Sequence, residues 1–319
     1  MANYCFGIDI GGTTVKTGLF TDKGELVFVN QIKTRTEENG SYILKDIEYN
    51  LKNIITERNI RPEEIMGIGV GVPGPVNPDG EILGCVNLGW QTMKLDGLSE
   101  HFYGVKVYPL NDANGAALGE MWKGSGLIDG KMTRDLAFIT LGTGVGGGLI
   151  CNGKLISGST GGAGEIGHFP VNFHEESTCN CGKKGCLEQY CSATGVVRMA
   201  KKMIKECNED ITAKEIFDLA KEGKEEYMSV VELFCEYLAK GCAYIASATN
   251  PKMIVIGGGV SAAGTIITQK VEKYFKKYAF KPCSDVTFAI AKLGNDAGMY
   301  GCAYTVLNNT SVEMRKLWN

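Results

Sequence analysis

The chain has 319 residues, is 44% hydrophobic, and sets 33 Lys and Arg against 36 Asp and Glu for a formal net charge of −3. That length exceeds what one hydrophobic core usually organises, so two lobes with a cleft between them are expected. The mildly acidic balance excludes a protein that binds by neutralising many nucleic-acid phosphates, so no nucleic-acid partner is expected. The most apolar runs, 136–150 and 253–264, are too short and glycine-rich to cross a bilayer core of about 30 Å. The start, Met1-Ala2-Asn3-Tyr4, shows no charged n-region or cleavable apolar stretch, so a cytoplasmic location with 12 reduced cysteines is expected.

In chain order, Cys5 to Ile10 reads as an apolar strand, Gly11 to Thr14 as a glycine-threonine turn, and Val15 to Phe20 as the returning strand before Asp22-Lys23-Gly24. An amphipathic helix is expected over Ser41 to Arg58, then a buried strand Met66 to Val72 stopped by Pro73-Gly74-Pro75. Strand Val105 to Leu110 runs into Asn111-Asp112, after which Ala113 to Trp122 reads as helix. Ala137 to Leu141, Gly142-Thr143-Gly144, Gly148-Leu149-Ile150 and Asn152-Gly153-Lys154 then repeat the opening hairpin. Such a repeat suggests an internally duplicated α/β chain with two facing phosphate-binding hairpins. Helices follow at Ala193 to Glu206, Ala213 to Lys221 and Glu226 to Thr249, the last stopped by Asn250-Pro251. Strand Lys252 to Ile256 opens into Gly257-Gly258-Gly259, and a helix from about Gly298 to Leu307 closes the chain.

Two kinds of chemistry stand out. Bare backbone amides can approach an anion only where side chains do not block them, and Gly11, Gly12 and Thr13 offer that surface, as do Gly142, Thr143 and Gly144. Neither turn is a Walker A loop or a dinucleotide fingerprint. The other feature is a set of metal-type ligands: Cys179, Cys181 and Cys186 with His168 supply the four tetrahedral positions that a structural zinc site closes. His174 is a rival fourth ligand. Glu165 and Glu188 flank the set, read either as grips for a polyhydroxylated ligand or as solvated surface charge.

Gly7-Ile8-Asp9-Ile10-Gly11-Gly12-Thr13, Glu165-x-x-His168 and Cys179-x-Cys181-Gly182-x-x-Gly185-Cys186-Leu187-Glu188 together resemble the ROK family, named for repressor, open reading frame and kinase. Cys186-Leu187-Glu188-Gln189-Tyr190 and Asn87-Leu88-Gly89-Trp90 are most similar to its bacterial glucokinase branch. The resemblance implies a duplicated actin- and hexokinase-like (ribonuclease H-like) fold of two lobes with ATP in the cleft. The expected lobes are 1–111 and 112–302, with a terminal helix over about 303–319 packing back on the first. It also implies Asp9 near the magnesium of ATP, Gly11, Gly12, Thr13, Thr143 and Gly144 at the phosphates, and Gly257, Gly258 and Gly259 at the adenosine. The alternative for the glycine triplet is a plain strand-to-helix turn, and Lys16 is a further candidate phosphate contact.

On the same resemblance Asp112 is the general base, although an aspartate at a helix start could simply be a cap. Asn87, Asn111, Glu165, His168 and Glu188 are expected at the sugar, with His168 also bound to structural zinc, and Trp90 could pack on the ring edge. The implied activity is ATP-dependent phosphorylation of a hexose, glucose above all, by a homodimer. Kinases for N-acetylmannosamine and other hexoses share these motifs, and so do sugar-sensing regulators. A helix-turn-helix domain precedes the motifs in those regulators, whereas the Asp9 loop here lies within the first ten residues, so a kinase is expected.

Overall fold

The structure is a computed structural model that describes residues 3–310. It divides into two compact units. One comprises the chain up to Met132, Leu155–Ala163 and the chain from Asn295; the other comprises Thr133–Lys154 and Gly164–Gly294.

In the first unit β1 (Tyr4–Ile10) and β2 (Thr14–Thr21) form the expected hairpin, with Asp9 opposite Lys16. β3 (Leu26–Lys33), which the sequence does not announce, adds an edge strand with Leu26, Val27 and Val29 exposed. A short turn of helix, α1 (Glu37–Gly40), leads to α2 (Ile43–Glu57), which buries Ile43, Ile47, Leu51 and Ile54 at helical spacing. β4 (Ile65–Val72), α3 (Asp96–His101) and β5 (Val107–Asn111) follow. β5 runs straight into α4 (Asp112–Trp122), and a two-residue hairpin, β6 (Leu127–Ile128) and β7 (Lys131–Met132), comes next. The sheet order is β3-β2-β1-β4-β5, with β1, β4 and β5 parallel. Its core gathers Phe6, Ile8, Ile10, Val70 and Phe102.

The second unit repeats the plan. β8 (Leu136–Leu141) and β9 (Val145–Cys151) form an antiparallel hairpin, followed by β10 (Lys154–Leu155). After the cysteine-rich segment come α5 (Glu188–Cys191), α6 (Ala193–Met203), α7 (Ala213–Lys221) and α8 (Glu225–Thr249). Ser192 caps α6 and Thr212 with Glu215 forms a capping box on α7. Asn250 in the left-handed conformation ends α8. β11 (Met253–Gly257), α9 (Thr265–Tyr278) and β12 (Thr287–Ile290) complete a sheet ordered β10-β9-β8-β11-β12. Strand for strand this is the order of the first sheet, and β8, β11 and β12 are again parallel. The duplicated α/β plan expected of an actin- and hexokinase-like chain is thus present in both sheets. The core of this unit runs from Ile139 and Leu141 through Val230, Phe234 and Leu238 to Ile254.

The chain then returns to the first unit as α10 (Ala297–Thr310), which starts one residue before the expected helix. It lies at backbone distance from the sheet. A Cβ on Gly7 would stand 2.2 Å from Met299 O, and one on Gly69 would stand 2.0 Å from Cys302 O. A side chain on Gly119 of α4 would likewise meet Ala297 O, so α4 packs with α10 inside this unit. The sequence-based border at 111/112 therefore falls at a continuous strand-to-helix junction rather than between compact units. Of the terminal helix drawn over 303–319, the part beyond 310 lies outside the described residues. The helix expected over 193–206 stops at Met203, and the strand expected from 105 starts at Val107. All 12 cysteines are free thiols, and among the described residues no helix is long and apolar enough to cross a membrane.

Candidate functional site

Asp9 lies next to the end of β1 and is hemmed in by α10: a Cβ on Gly298 would stand 2.5 Å from its Oδ2. Burial, and then the charge of Asp112, push the Asp9 carboxyl up to about 7, while Lys16 pulls the other way. Lys16 Nζ itself is paired with Asp296 Oδ1 at 2.5 Å and donates to Asn295 O at 3.3 Å. A buried carboxyl whose ionisation is opposed by a second carboxyl, Asp112, and favoured by Lys16 fits a divalent cation.

Asn111, not Asp112, caps α4: its Oδ1 accepts from Asn114 N at 3.1 Å and its Nδ2 donates to Gly74 O at 3.2 Å. Asp112 is the first helical residue, and its Oδ1 accepts from Ala113 N at 2.8 Å. The Asn87 turn is exposed and follows Cys85, whose thiol is pushed up to about 11 by burial and by Asp112. Gly74, which accepts from Asn111, packs on Gly84 O and Cys85 Sγ, and Gly298, which abuts Asp9, also faces Gly115 of α4, so Asp9, the start of α4 and the segment leading to the Asn87 turn are neighbours. Trp90 is not open to a ligand, because it is buried in the core and donates to Gly40 O at 3.2 Å. Beside Asp9, the Gly11–Thr13 turn keeps Gly12 and Thr13 exposed. It is closed by Gly11 N to Thr14 O at 2.9 Å and pinned by Thr34, whose N donates to Thr13 O at 2.9 Å and whose Oγ1 donates to Gly11 O at 2.7 Å.

In the second unit His168, Cys179, Cys181 and Cys186 offer ligand atoms all within 4.8 Å of one another. Cys181 and Cys186 sulfurs are 3.6 Å apart, and Cys179 Sγ is 4.0 Å from His168 Nδ1. A tetrahedron with metal–sulfur bonds of about 2.3 Å has edges of about 3.8 Å, so the set fits zinc. His174 is not in the cluster; its N donates to Asn172 Oδ1 at 3.0 Å on an exposed turn. The loop is framed from outside. Gln189 Oε1 accepts from Gly185 N at 2.8 Å and Cys186 N at 3.0 Å, and its Nε2 donates to Ser177 O at 3.0 Å. Glu175 accepts from Tyr190 at 2.5 Å and from Arg198 at 3.0 Å. Burial alone would raise the Glu175 carboxyl, but these bonds and those from Ser177 hold it well below the usual carboxylate range.

Glu188 opens α5 half-buried, and its Oε2 accepts from Val145 N at 3.0 Å while Oε1 lies 4.0 Å from Cys179 Sγ. Glu165 is exposed, just before the single turn Ile166–His168. The Gly142–Gly144 turn opens onto a cavity of about 480 Å³ lined by Gly142, Thr143, Ala193, Thr212, Phe217, Asp218, Gly259 and Val260, among others. The size and the mostly apolar lining with a few polar groups suit a nucleoside. Of the glycine triplet only Gly259 lines it. Gly257 belongs to β11 with Phe138 against its Cα, and Gly258 packs on the backbone of Leu141.

The model of the ROK family matches residues 5–309. The chain belongs to the ROK family. It is 41% identical to the glucokinase of Halalkalibacterium halodurans over 94% of each chain. It is 30% identical to the xylose repressor of Caldicellulosiruptor bescii, covering 95% of this chain and 78% of the repressor. Among solved structures, the ROK family glucokinase of Streptomyces griseus in complex with glucose and AMPPNP matches with a TM-score of 0.74 at 28% identity, over 95% of this chain and 99% of that one.

Within this ROK chain Asp9, Asn111 and Asp112 lie in the first unit, and His168 and the three cysteines cluster in the second. The sequence reading missed the apolar lining of the cavity, Ala193, Phe217 and Val260, which no local motif marks. It also missed the loop frame of Glu175, Gln189 and Arg198. Gln189 and Tyr190 were visible only as part of the branch-type motif.

Proposed function

We propose that the protein is an ATP- and Mg²⁺-dependent hexose kinase, a homodimer, that converts glucose to glucose 6-phosphate. The reading is carried by the cavity that joins the Gly142–Gly144 turn to Gly259, since a nucleoside lodged there would bring its phosphates to bare amides. The 41% identity to a glucokinase favours glucose over other hexoses.

Asp112 would accept the proton of the attacking sugar hydroxyl, and Asn111 would hold a neighbouring hydroxyl. Glu165, His168 and Glu188 would select the ring by hydrogen bonds, a recognition that penalises ligands lacking the matching hydroxyl. Because His168 turns Nδ1 to Cys179 Sγ, its other nitrogen serves the sugar, with zinc fixing the ring's orientation. Asp9 would hold magnesium, which when bound neutralises charge on the phosphates. The Gly11–Thr13 and Thr143–Gly144 turns would align them, and alignment with electrostatic stabilisation supplies most of the rate in phosphoryl transfer.

A coupled assay with ATP or polyphosphate across glucose, N-acetylmannosamine, N-acetylglucosamine, fructose and allose tests the proposal. Glucose with ATP should give the highest kcat/KM. A higher value for another hexose would reassign the substrate, and no turnover with any sugar would overturn the kinase reading in favour of a sugar sensor.

A further inference from the structure

The Gly142–Gly144 turn is fastened almost entirely by the segment that follows the last metal ligand. Val145 N donates to Glu188 Oε2 at 3.0 Å, Ala193 N donates to Gly142 O at 2.8 Å, and Thr194 Oγ1 donates to Thr143 O at 3.2 Å. The turn's own closing bond is Gly142 N to Gly144 O at 3.0 Å. Glu188 stands two residues after Cys186 and lies in reach of a second ligand, Cys179. A Cβ on Gly144 would stand 2.5 Å from Glu188 Oε2, so carboxylate and turn are packed without slack. A group that fixes Cys179 and Cys186 therefore also fixes the carboxylate that braces the turn.

We propose that the Cys₃His cluster and the nucleotide turn are thermodynamically linked through Glu188, Ala193 and Thr194, so that bound zinc raises nucleotide affinity and nucleotide raises zinc affinity. Glu188 and Thr194 act here as positioning residues. The inference rests on the proposed nucleotide site. By reciprocity the two ligands must raise each other's binding constants by the same factor.

The test is calorimetric titration of AMPPNP with Mg²⁺ and without sugar, into zinc-loaded and chelator-stripped protein, alongside zinc release to a competing chelator with and without AMPPNP. Stripping should weaken AMPPNP at least fivefold, and AMPPNP should slow or weaken zinc loss by a matching factor. Thr194→Val, zinc-loaded, should weaken AMPPNP about threefold or more at unchanged zinc content, with Thr194→Ser restoring it; this arm stands even if the stripped protein unfolds. Equal AMPPNP affinity with and without zinc in folded protein, or Thr194→Val binding like wild type, overturns the linkage while leaving the nucleotide site intact. If zinc-loaded wild type binds no AMPPNP, the nucleotide site falls and the linkage with it.

Discussion

The two glycine turns occupy the same position in sheets of the same strand order, yet they are held by different means. The first, Gly11–Thr13, is pinned by Thr34, immediately after β3. The second, Gly142–Gly144, is pinned by residues 188–194, downstream of a metal-ligand cluster. Their surroundings differ too. Asp9 and Asp112 crowd negative charge beside the first, whereas the carboxylate nearest the second accepts Val145 N. One duplicated frame thus carries one turn beside a pair of carboxyl groups and another beside a mostly apolar cavity, and the difference lies in what each hairpin is tied to.

The comparison can be broken at several points. The largest effect is expected at the carboxylate pair: Asp112→Asn should lower kcat by about 10²- to 10⁴-fold with glucose KM within about tenfold, and near-wild-type kcat would remove Asp112 as the base. Next, Cys181→Ser should lose metal and weaken glucose binding by about 10- to 100-fold; unchanged sugar affinity at reduced metal content would end the bracing role of the cluster. Thr34→Val strips the first turn of its side-chain bond to Gly11 O, a loss of about 0.5–1.5 kcal/mol that should raise the KM for ATP about 2- to 10-fold. Unlike Thr194→Val, it should leave the response of nucleotide binding to zinc unchanged, and a lost response would mean the two turns are not independently held.

A different kind of effect falls on stability. The Asp9 carboxyl sits at about 7 when folded against an ordinary value of 3.8, so between those values the folded state holds more protons than the unfolded one. Stability therefore falls as pH rises through that window, and the cost is complete above about 7. In chelator, Asp9→Asn should raise Tm by a few degrees at pH 8 and by little near pH 4. A gain that grew towards acid pH would show that Asp9 is not strained by burial and Asp112.

Much of this was legible in the sequence because it is written in short-range patterns. The Gly-Thr turns, the closing Asp-Lys-Gly and Asn-Gly-Lys motifs, and the Cys-x-Cys spacing announce both hairpins and the metal loop. β3 was not, because Leu26, Val27 and Val29 are apolar yet exposed on an edge strand, so hydrophobicity does not follow the alternation of exposed and half-buried positions. Nor were α9 and β12 anticipated. The ties that set the turns apart escaped for another reason: Thr34 to Gly11 spans 23 residues and Thr194 to Thr143 spans 51, and a lone threonine carries no sign of a distant carbonyl. Gly257 and Gly258 misled because a triplet looks uniform, while packing against Phe138 and Leu141 leaves only Gly259 to the cavity.

The close seat of α10 on Gly7 and Gly69 also bears on how the chain is made. The strand β1 and the strand β4 beside it are shaped to receive the backbone of a helix that begins at Ala297, after the whole of the second unit in chain order. On the ribosome, residues 133–294 can emerge while that seat is still empty. The half that is translated first is thus the half that is completed last.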